Sequence, residues 1–204
     1  MLPSGSNDQR RYCVGEAMPA DGATFIDALF TEQKELIGFL LQQGQLSYSQ
    51  NVEAFLSKTL LLSVASYFES RITNAISDYA ARVSKSDEAL ISLVRTKAIE
   101  RQYHTYFQWR EGNRSANSFF AMFGSALKDS AKQDLKDKEL SQATAAFLEL
   151  GDLRNLLVHE NFASYPLEKT ADEIYRLYGE SLRFVIYIEN KLNPMPATVS
   201  SGEL

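Results

Sequence analysis

The stretch that decides the fold is LLSVASYFESRITNAISDYAARV, residues 61–83. Its apolar residues recur at steps of three and four, the spacing of one face of an α-helix. This apolar stripe comprises Leu61, Val64, Ala65, Phe68, Ile72, Ala75, Ile76, Tyr79 and Val83. A stripe of this length predicts a long helix with one side against a core.

The same spacing continues along the chain in both directions. Glycine and proline are sparse between residues 23 and 192, and no segment alternates apolar and polar residues as a strand does. We therefore predict an all-α bundle of about six helices. Their predicted ranges are 23–43, 49–83, 87–110, 117–127, 139–160 and 170–192, with residues 128–138 as a solvated connection.

Several helix ends carry local signals. Gly44 is the predicted stop of the first helix, and Asn193 with Pro194 ends the last. The predicted N-caps are Ser49 and Ser86 for the second and third helices, and Thr170, in a capping box with Glu173, for the last.

The domain organisation is predicted to be simple. Residues 23–192 form a single helical domain, because neither a repeat nor a change of composition divides them. We expect residues 1–22 to be a flexible N-terminal segment without signal-peptide character, and residues 193–204 to be a C-terminal tail. The most apolar stretch, residues 60–68, is far too short to span a bilayer. We expect a cytoplasmic protein that does not associate with membranes.

Composition limits the kinds of site the chain can build. Its 204 residues include 21 Lys and Arg against 26 Asp and Glu, so bulk charge does not indicate nucleic-acid binding. Cys13 is the single cysteine, which excludes an intrachain disulfide and a thiolate cluster. With only two histidines and no spaced acidic motif, we expect neither a metal nor a cofactor.

The most chemically pointed stretch is DLRNLLVH, residues 152–159. Arginine binds phosphate through a planar fork of donors, and histidine moves protons near neutral pH. At about 100° per residue, Asn155 lies about 40° and Asp152 about 20° from His159 on a helix. The opposite strip, which we expect to be buried, contains Leu150, Leu153, Leu156 and Leu157. Arg154 lies about 140° from His159, so either its long side chain curls round or a second copy completes the site.

An ordinary solvated helix face would also fit this pattern. However, Arg154-Asn155-x-x-x-His159 resembles the R-x4-H motif of the HEPN superfamily. The motif lies late in an all-helical chain and precedes a short turn and one last long helix, as in that superfamily. Residues 67–72, YFESRI, resemble its acidic-bearing helix. The similarity covers about residues 50–192 and is closest to the RiboL-PSP group of prokaryotic defence and toxin systems.

The resemblance implies a metal-independent endoribonuclease that forms a 2′,3′-cyclic phosphate. His159 would be the general acid or base at the ribose 2′-OH or the leaving 5′-oxygen. Arg154 would stabilise charge on the phosphate, and Asn155 would orient the phosphate or the imidazole. Glu69 would position Arg154 or His159, and Asp152 would support the site.

The resemblance also implies partners. The substrate would be RNA, and two chains would form a homodimer through their motif-bearing faces, with Arg154 of one chain near His159 of the other. An antitoxin or regulatory protein is a further candidate partner. The alternative is a HEPN domain that dimerises, binds RNA or acts as a scaffold without catalysis. A third interpretation is a structural helical protein in which the motif is coincidental.

Two other features have open interpretations. Residues 103–109, YHTYFQW, could stack bases, but we favour core packing with a satisfied His104. Candidate phosphate-binding cations are Arg71, Arg82, Arg95, Lys97, Arg101, Arg110 and Arg114. Most of these fit an ordinary solvated face, whereas Arg110 and Arg114 flank a break and are placed to reach a cleft.

Overall fold

The computed structural model describes residues 23–100, 102–160 and 162–194. These residues are all-helical apart from loops and one isolated antiparallel bridge, between Gln108 and Ser115. The predicted flexible segment 1–22 and all but two residues of the predicted tail lie outside the described residues. None of the described helices combines the length and the apolar character needed to cross a bilayer.

Eight α-helices are present in the described residues, against about six predicted from the spacing of apolar residues. They are α1 (Phe25–Gln42), α2 (Leu46–Val83), α3 (Glu88–Val94), α4 (Tyr103–Tyr106), α5 (Asn117–Ala121), α6 (Ser125–Asp134), α7 (Lys138–His159) and α8 (Ala171–Leu192). The α3 helix continues directly into a π-helical turn, Arg95–Ile99.

Three of the predicted ranges are wrong. The helix predicted over 117–127 ends at Ala121, and a new helix begins at Ser125, because Gly124 takes φ +98° and breaks the helical path. A continuous helix over 87–110 does not form, because the π-helical turn ends at Ile99, the chain turns at Glu100, and the four-residue α4 follows. The segment 128–138, predicted as a solvated connection, mostly belongs to α6. Ala131 is completely buried there, so one apolar side is enough to hold a helix whose other sides are charged.

The helix ends predicted from glycine, asparagine and the capping box are confirmed. Gly44 has φ +70° and closes α1, with the Gln45 amide bonded to the Leu40 carbonyl at 2.9 Å. Thr170 caps α8, and its side chain and the Glu173 carboxylate bond reciprocally to backbone amides. The α8 helix ends at Leu192, as the following Asn-Pro pair predicts.

The two serine N-caps are wrong. Ser49 is buried inside α2 and donates to the Leu46 carbonyl at 2.8 Å. Ser86 has φ +63° and belongs to the turn that ends α2, while Asp87 caps α3 through the Leu90 amide. The actual N-caps, Gln45 and Asp87, lie four residues and one residue from the predicted ones, and local composition resolves such differences poorly.

The core lies where α8 packs against both α2 and α7, with α1 along the side of α2. Phe68 from α2, Phe147 from α7 and Phe184 from α8 meet there, with ring centroids 5.7 and 5.1 Å apart along the series. The predicted stripe of α2 faces this core, although Val83 at its end is 57% exposed. The motif-bearing half of α7 therefore stands on a rigid aromatic layer.

The leucine strip of α7 is predicted correctly except for one residue. Leu150 and Leu157 are almost fully buried, and Leu153 packs against the core. Leu156, which we expected to be buried, is 46% exposed. It lies about 100° round the helix from the fully buried Leu157, which places it outside the buried side of α7.

Candidate functional site

An open cleft of about 360 Å³ lies between α2, α4 and α7. It is lined by Glu69, Tyr103, His104, Arg154, Asn155, Val158 and His159. Four of the five site residues predicted from sequence therefore border one cleft, and Asp152 does not. Arg154 and His159 reach it in a single chain, so the long arginine side chain alone overcomes their angular separation on α7.

Arg154 is half-buried at the edge of the cleft. Its Nη1 donates to Asn155 Oδ1 at 3.2 Å, and it forms no ion pair with any carboxylate of the described residues. A guanidinium keeps its charge at all ordinary pH values and presents several donors. The remaining donors of Arg154 are therefore available to an anion in the cleft.

Glu69 enters the cleft from α2, opposite the motif. Its carboxylate makes no hydrogen bond to Arg154 or His159 in the structure. Through direct contact, therefore, Glu69 does not position either residue as the resemblance implies. Its charge is felt by the neighbouring phenols. Burial first and then Glu69 raise the pKa of Tyr103, which Arg154 partly opposes, and burial with Glu69 raises the pKa of Tyr106 to about 12. Both hydroxyls remain protonated donors near neutral pH.

The aromatic segment that carries His104 has two sides. Tyr106, Phe107 and Trp109 are buried, which confirms core packing for these rings. His104 itself is exposed and lines the cleft, so our interpretation of it as a satisfied core histidine is wrong. It lies on the short α4, where the break in the predicted third helix turns it outward. The sequence analysis did not predict that His104 and Tyr103 line the cleft. The available signal was that the chain has only two histidines, so the second deserved the same consideration as His159.

The chain around α4 is fixed onto α7. Trp109 Nε1 donates to the backbone oxygen of His104 at 3.0 Å, and the indole ring covers the backbone of Gly151. Arg114 binds the Trp109 carbonyl at 3.3 Å and forms an ion pair with Asp152 at 2.7 Å. The side chain of Asp152 therefore anchors this loop to α7, in contrast to the supporting position in the site that we expected.

A second groove of about 340 Å³ lies on the other side of the motif. Its lining is Trp109, Arg110, Asp152, Asn155, Leu156, His159 and Glu160. Asn155 and His159 border both spaces, so they form a ridge between the groove and the cleft.

The predicted phosphate-binding cations divide into two sets. Arg71 is bidentate to Glu189, Arg82 donates to the Leu192 carbonyl at 2.6 Å, and Arg114 pairs with Asp152, so these three serve structural contacts. Arg95, Lys97 and Arg110 are exposed and make no ion pair within the described ranges, and Arg101 lies outside them. Among the three exposed residues, Arg110 lines a space beside the motif.

The fold and the cleft define an all-helical domain with Arg154 and His159 on its penultimate long helix, beside an acidic residue from α2. The sequence model of the RiboL-PSP-HEPN family matches residues 27–194, and the chain belongs to this family. HEPN domains are often ribonucleases. No curated protein and no solved structure matches the chain.

Proposed function

We propose that this protein is a metal-independent endoribonuclease that cleaves RNA by attack of the ribose 2′-OH. The observation that carries the proposal is the single cleft bordered by Arg154, Asn155 and His159, in which Arg154 has no carboxylate partner among the described residues. A guanidinium with donors to spare and an exposed imidazole in the same cleft provide a suitable place for a phosphodiester. The family of the chain agrees with this chemistry.

Each residue has a role that follows from its chemistry. Arg154 stabilises the charge that develops on the phosphate oxygens. His159 takes the proton of the 2′-OH or gives one to the leaving 5′-oxygen, because an imidazole exchanges protons near neutral pH. Asn155, which already holds Arg154, orients the guanidinium and offers its amide to the phosphate. The products are a 2′,3′-cyclic phosphate and a free 5′-hydroxyl.

The chain has a net charge of −5, which repels RNA as a whole. RNA binding therefore depends on the few cationic side chains beside the cleft. The ridge formed by Asn155 and His159 lets one nucleotide occupy the cleft and the next lie in the second groove. Arg110 then meets the flanking phosphate. We expect the protein to contact only a short segment of RNA, since only a few cationic side chains border the cleft and the second groove.

Two exposed apolar residues support the proposed homodimer. Leu156 is 46% and Val158 45% exposed, and they lie on α7 on either side of the ridge. A partner that packs on this face would remove both apolar side chains from water. We propose a two-fold pairing through this face, with an antitoxin or regulatory protein as a competing partner and prokaryotic defence as the setting. The pairing would shape the RNA path, because Arg154 and His159 already share a cleft within one chain.

The alternative function is a HEPN domain that dimerises or binds RNA without cutting it. Glu69 favours this alternative for two reasons. An acidic side chain in the cleft repels phosphate, and Glu69 makes no contact with Arg154 or His159 through which it could assist catalysis. The exposure of both Arg154 and His159 to one cleft favours the enzyme.

The test compares the native chain with His159→Ala on RNA in the presence of EDTA. The native chain should cleave, and the variant should be slower by roughly 10²–10⁴-fold, the usual contribution of a general acid or base. Ser141→Ala, an exposed change elsewhere on α7, is the matched control and should keep the native rate. Equal cleavage by both proteins would falsify the histidine mechanism. RNA binding without cleavage by any of the three would establish the scaffold alternative.

A further inference from the structure

We propose that His104 is the second proton-transfer residue of the site, so that each chain carries both imidazoles of the reaction. This inference rests on the proposed ribonuclease function. The chain has two histidines, His104 on α4 and His159 on α7, and the fold brings both to the same cleft with Arg154. Both side chains are exposed and accessible to a ligand.

The chemistry of RNA cleavage needs two such groups. A neutral imidazole takes the proton of the 2′-OH as the bond from the 2′-oxygen to phosphorus forms. The bond from phosphorus to the 5′-oxygen breaks, and its electron pair stays on that oxygen, which receives a proton from an imidazolium. Nothing is oxidised or reduced, and at the end the base has gained one proton and the acid has lost one. Solvent restores the two protonation states before the next turnover.

The other groups that face His104 are less suited to this exchange. Tyr103 on α4 remains protonated, because burial and the Glu69 charge raise its pKa, and a guanidinium is too basic to exchange a proton near neutral pH. Glu69 on α2 is the remaining titratable side chain of the cleft. An imidazole is better matched than a carboxylate to proton transfer at neutral pH.

The backbone of His104 is held in place by the motif-bearing helix. Its carbonyl accepts a hydrogen bond from Trp109 Nε1 at 3.0 Å, and the indole ring lies against Gly151 of α7. Asn155, which lies one turn beyond Gly151 on the same helix, borders the cleft. These contacts fix the backbone from which the His104 imidazole reaches the cleft.

The first experiment measures cleavage against pH in EDTA for the native chain, His104→Ala and His159→Ala. The native rate should depend on pH as a bell-shaped curve. Each variant should be slower by roughly 10²-fold or more, and its curve should lose either the acidic or the basic limb. The control is Thr105→Ala, because Thr105 is the next exposed residue of α4 and does not line the cleft. It should keep the native rate and the native pH profile. Circular dichroism of all four proteins checks the fold.

A substrate with a 5′-bridging sulfur identifies the acid. A thiolate leaves without protonation, so this substrate should restore cleavage to only one of the two histidine variants. Rescue of both variants, or of neither, would contradict a divided acid and base. Mixing His104→Ala with His159→Ala should restore no activity, because neither chain holds both imidazoles, and restored cleavage would place the pair between chains and overturn the proposal.

Failure of this inference is separable from failure of the proposed function. If the native chain cleaves and His159→Ala does not, while His104→Ala keeps the native rate and pH profile, the inference is wrong and the ribonuclease stands. If the native chain does not cleave RNA in EDTA, both are wrong.

Discussion

The indole ring of Trp109 lies directly on the backbone of Gly151, the residue of α7 that precedes the motif. A Cβ placed on Gly151 would come within 3.0 Å of Trp109 Cη2 and closer still to two other ring atoms. The close approach is what allows the segment carrying Tyr103 and His104 to lie against the motif-bearing helix. Glycine inside a helix is ordinarily unfavourable, and here the packing of Trp109 accounts for it.

Gly151→Ala should therefore destabilise the fold by about 1–3 kcal/mol, the usual cost of overpacking a core. Trp109 is 9% exposed, and its ring packs against Tyr103, Phe107 and Phe147, so it cannot shift without disturbing these contacts. The same change at Gly179 of α8, where nothing lies within 4 Å of the new Cβ, should stabilise by about 0.5–1 kcal/mol. Urea unfolding of both variants measures the contrast. Equal effects at the two glycines would show that the contact with Trp109 does not constrain α7.

Arg154→Ala should reduce RNA cleavage by roughly 10²–10³-fold, the usual effect of removing one group that stabilises transition-state charge. Stability should change by less than about 0.5 kcal/mol, because Arg154 forms no ion pair within the described residues. Arg154→Lys keeps the charge but not the planar fork, and should recover only part of the rate. Kinetics combined with thermal unfolding test this, and loss of the fold in Arg154→Ala would show that the residue is structural.

Arg110→Ala should weaken RNA binding and lower the slope of log affinity against log salt by about 0.7, the value for one phosphate contact on a single strand. Arg71→Ala is the matched comparison, since Arg71 is engaged by Glu189 on α8. It should leave the salt slope unchanged and cost about 1–3 kcal/mol of stability through the lost charged hydrogen bonds. Titrations of labelled RNA at several salt concentrations distinguish the two arginines. A change of slope in Arg71→Ala would mean that its pair with Glu189 opens to RNA.

Asp152→Asn should destabilise the protein because the carboxylate anchors Arg114 and the loop before α5. The side chains of Asp152 and Arg114 are 14% and 28% exposed, so solvent screens the pair incompletely. A double-mutant cycle with Arg114→Gln should give a coupling of about 0.5–2 kcal/mol. The cleavage rate at saturating RNA should stay near the native value, since Asp152 does not border the cleft. A large loss of that rate at unchanged stability would return Asp152 to the supporting role expected from sequence.

Features that depend on neighbours in the chain could be predicted from sequence. The long α2 helix follows from apolar residues spaced along one face, and the end of α1 follows from Gly44, which readily adopts a positive φ. The Arg154-to-His159 spacing places these side chains within two turns of α7 whatever the rest of the fold does. The sequence analysis did not predict the break after α3 or the helix α6. There, a few buried contacts determine the backbone conformation against the preference of the local composition.

The amino-acid sequence alone thus determined the helical class, the principal helices and the motif on α7, since each depends on spacing over a few residues. The tertiary structure decided which groups share the cleft. His104 joins it because Trp109 packs on Gly151, and Asp152 is withdrawn from it because Arg114 binds its carboxylate. These contacts join residues far apart in the chain, and the spacing of residues within one helix carries no information about which distant side chain will lie against it.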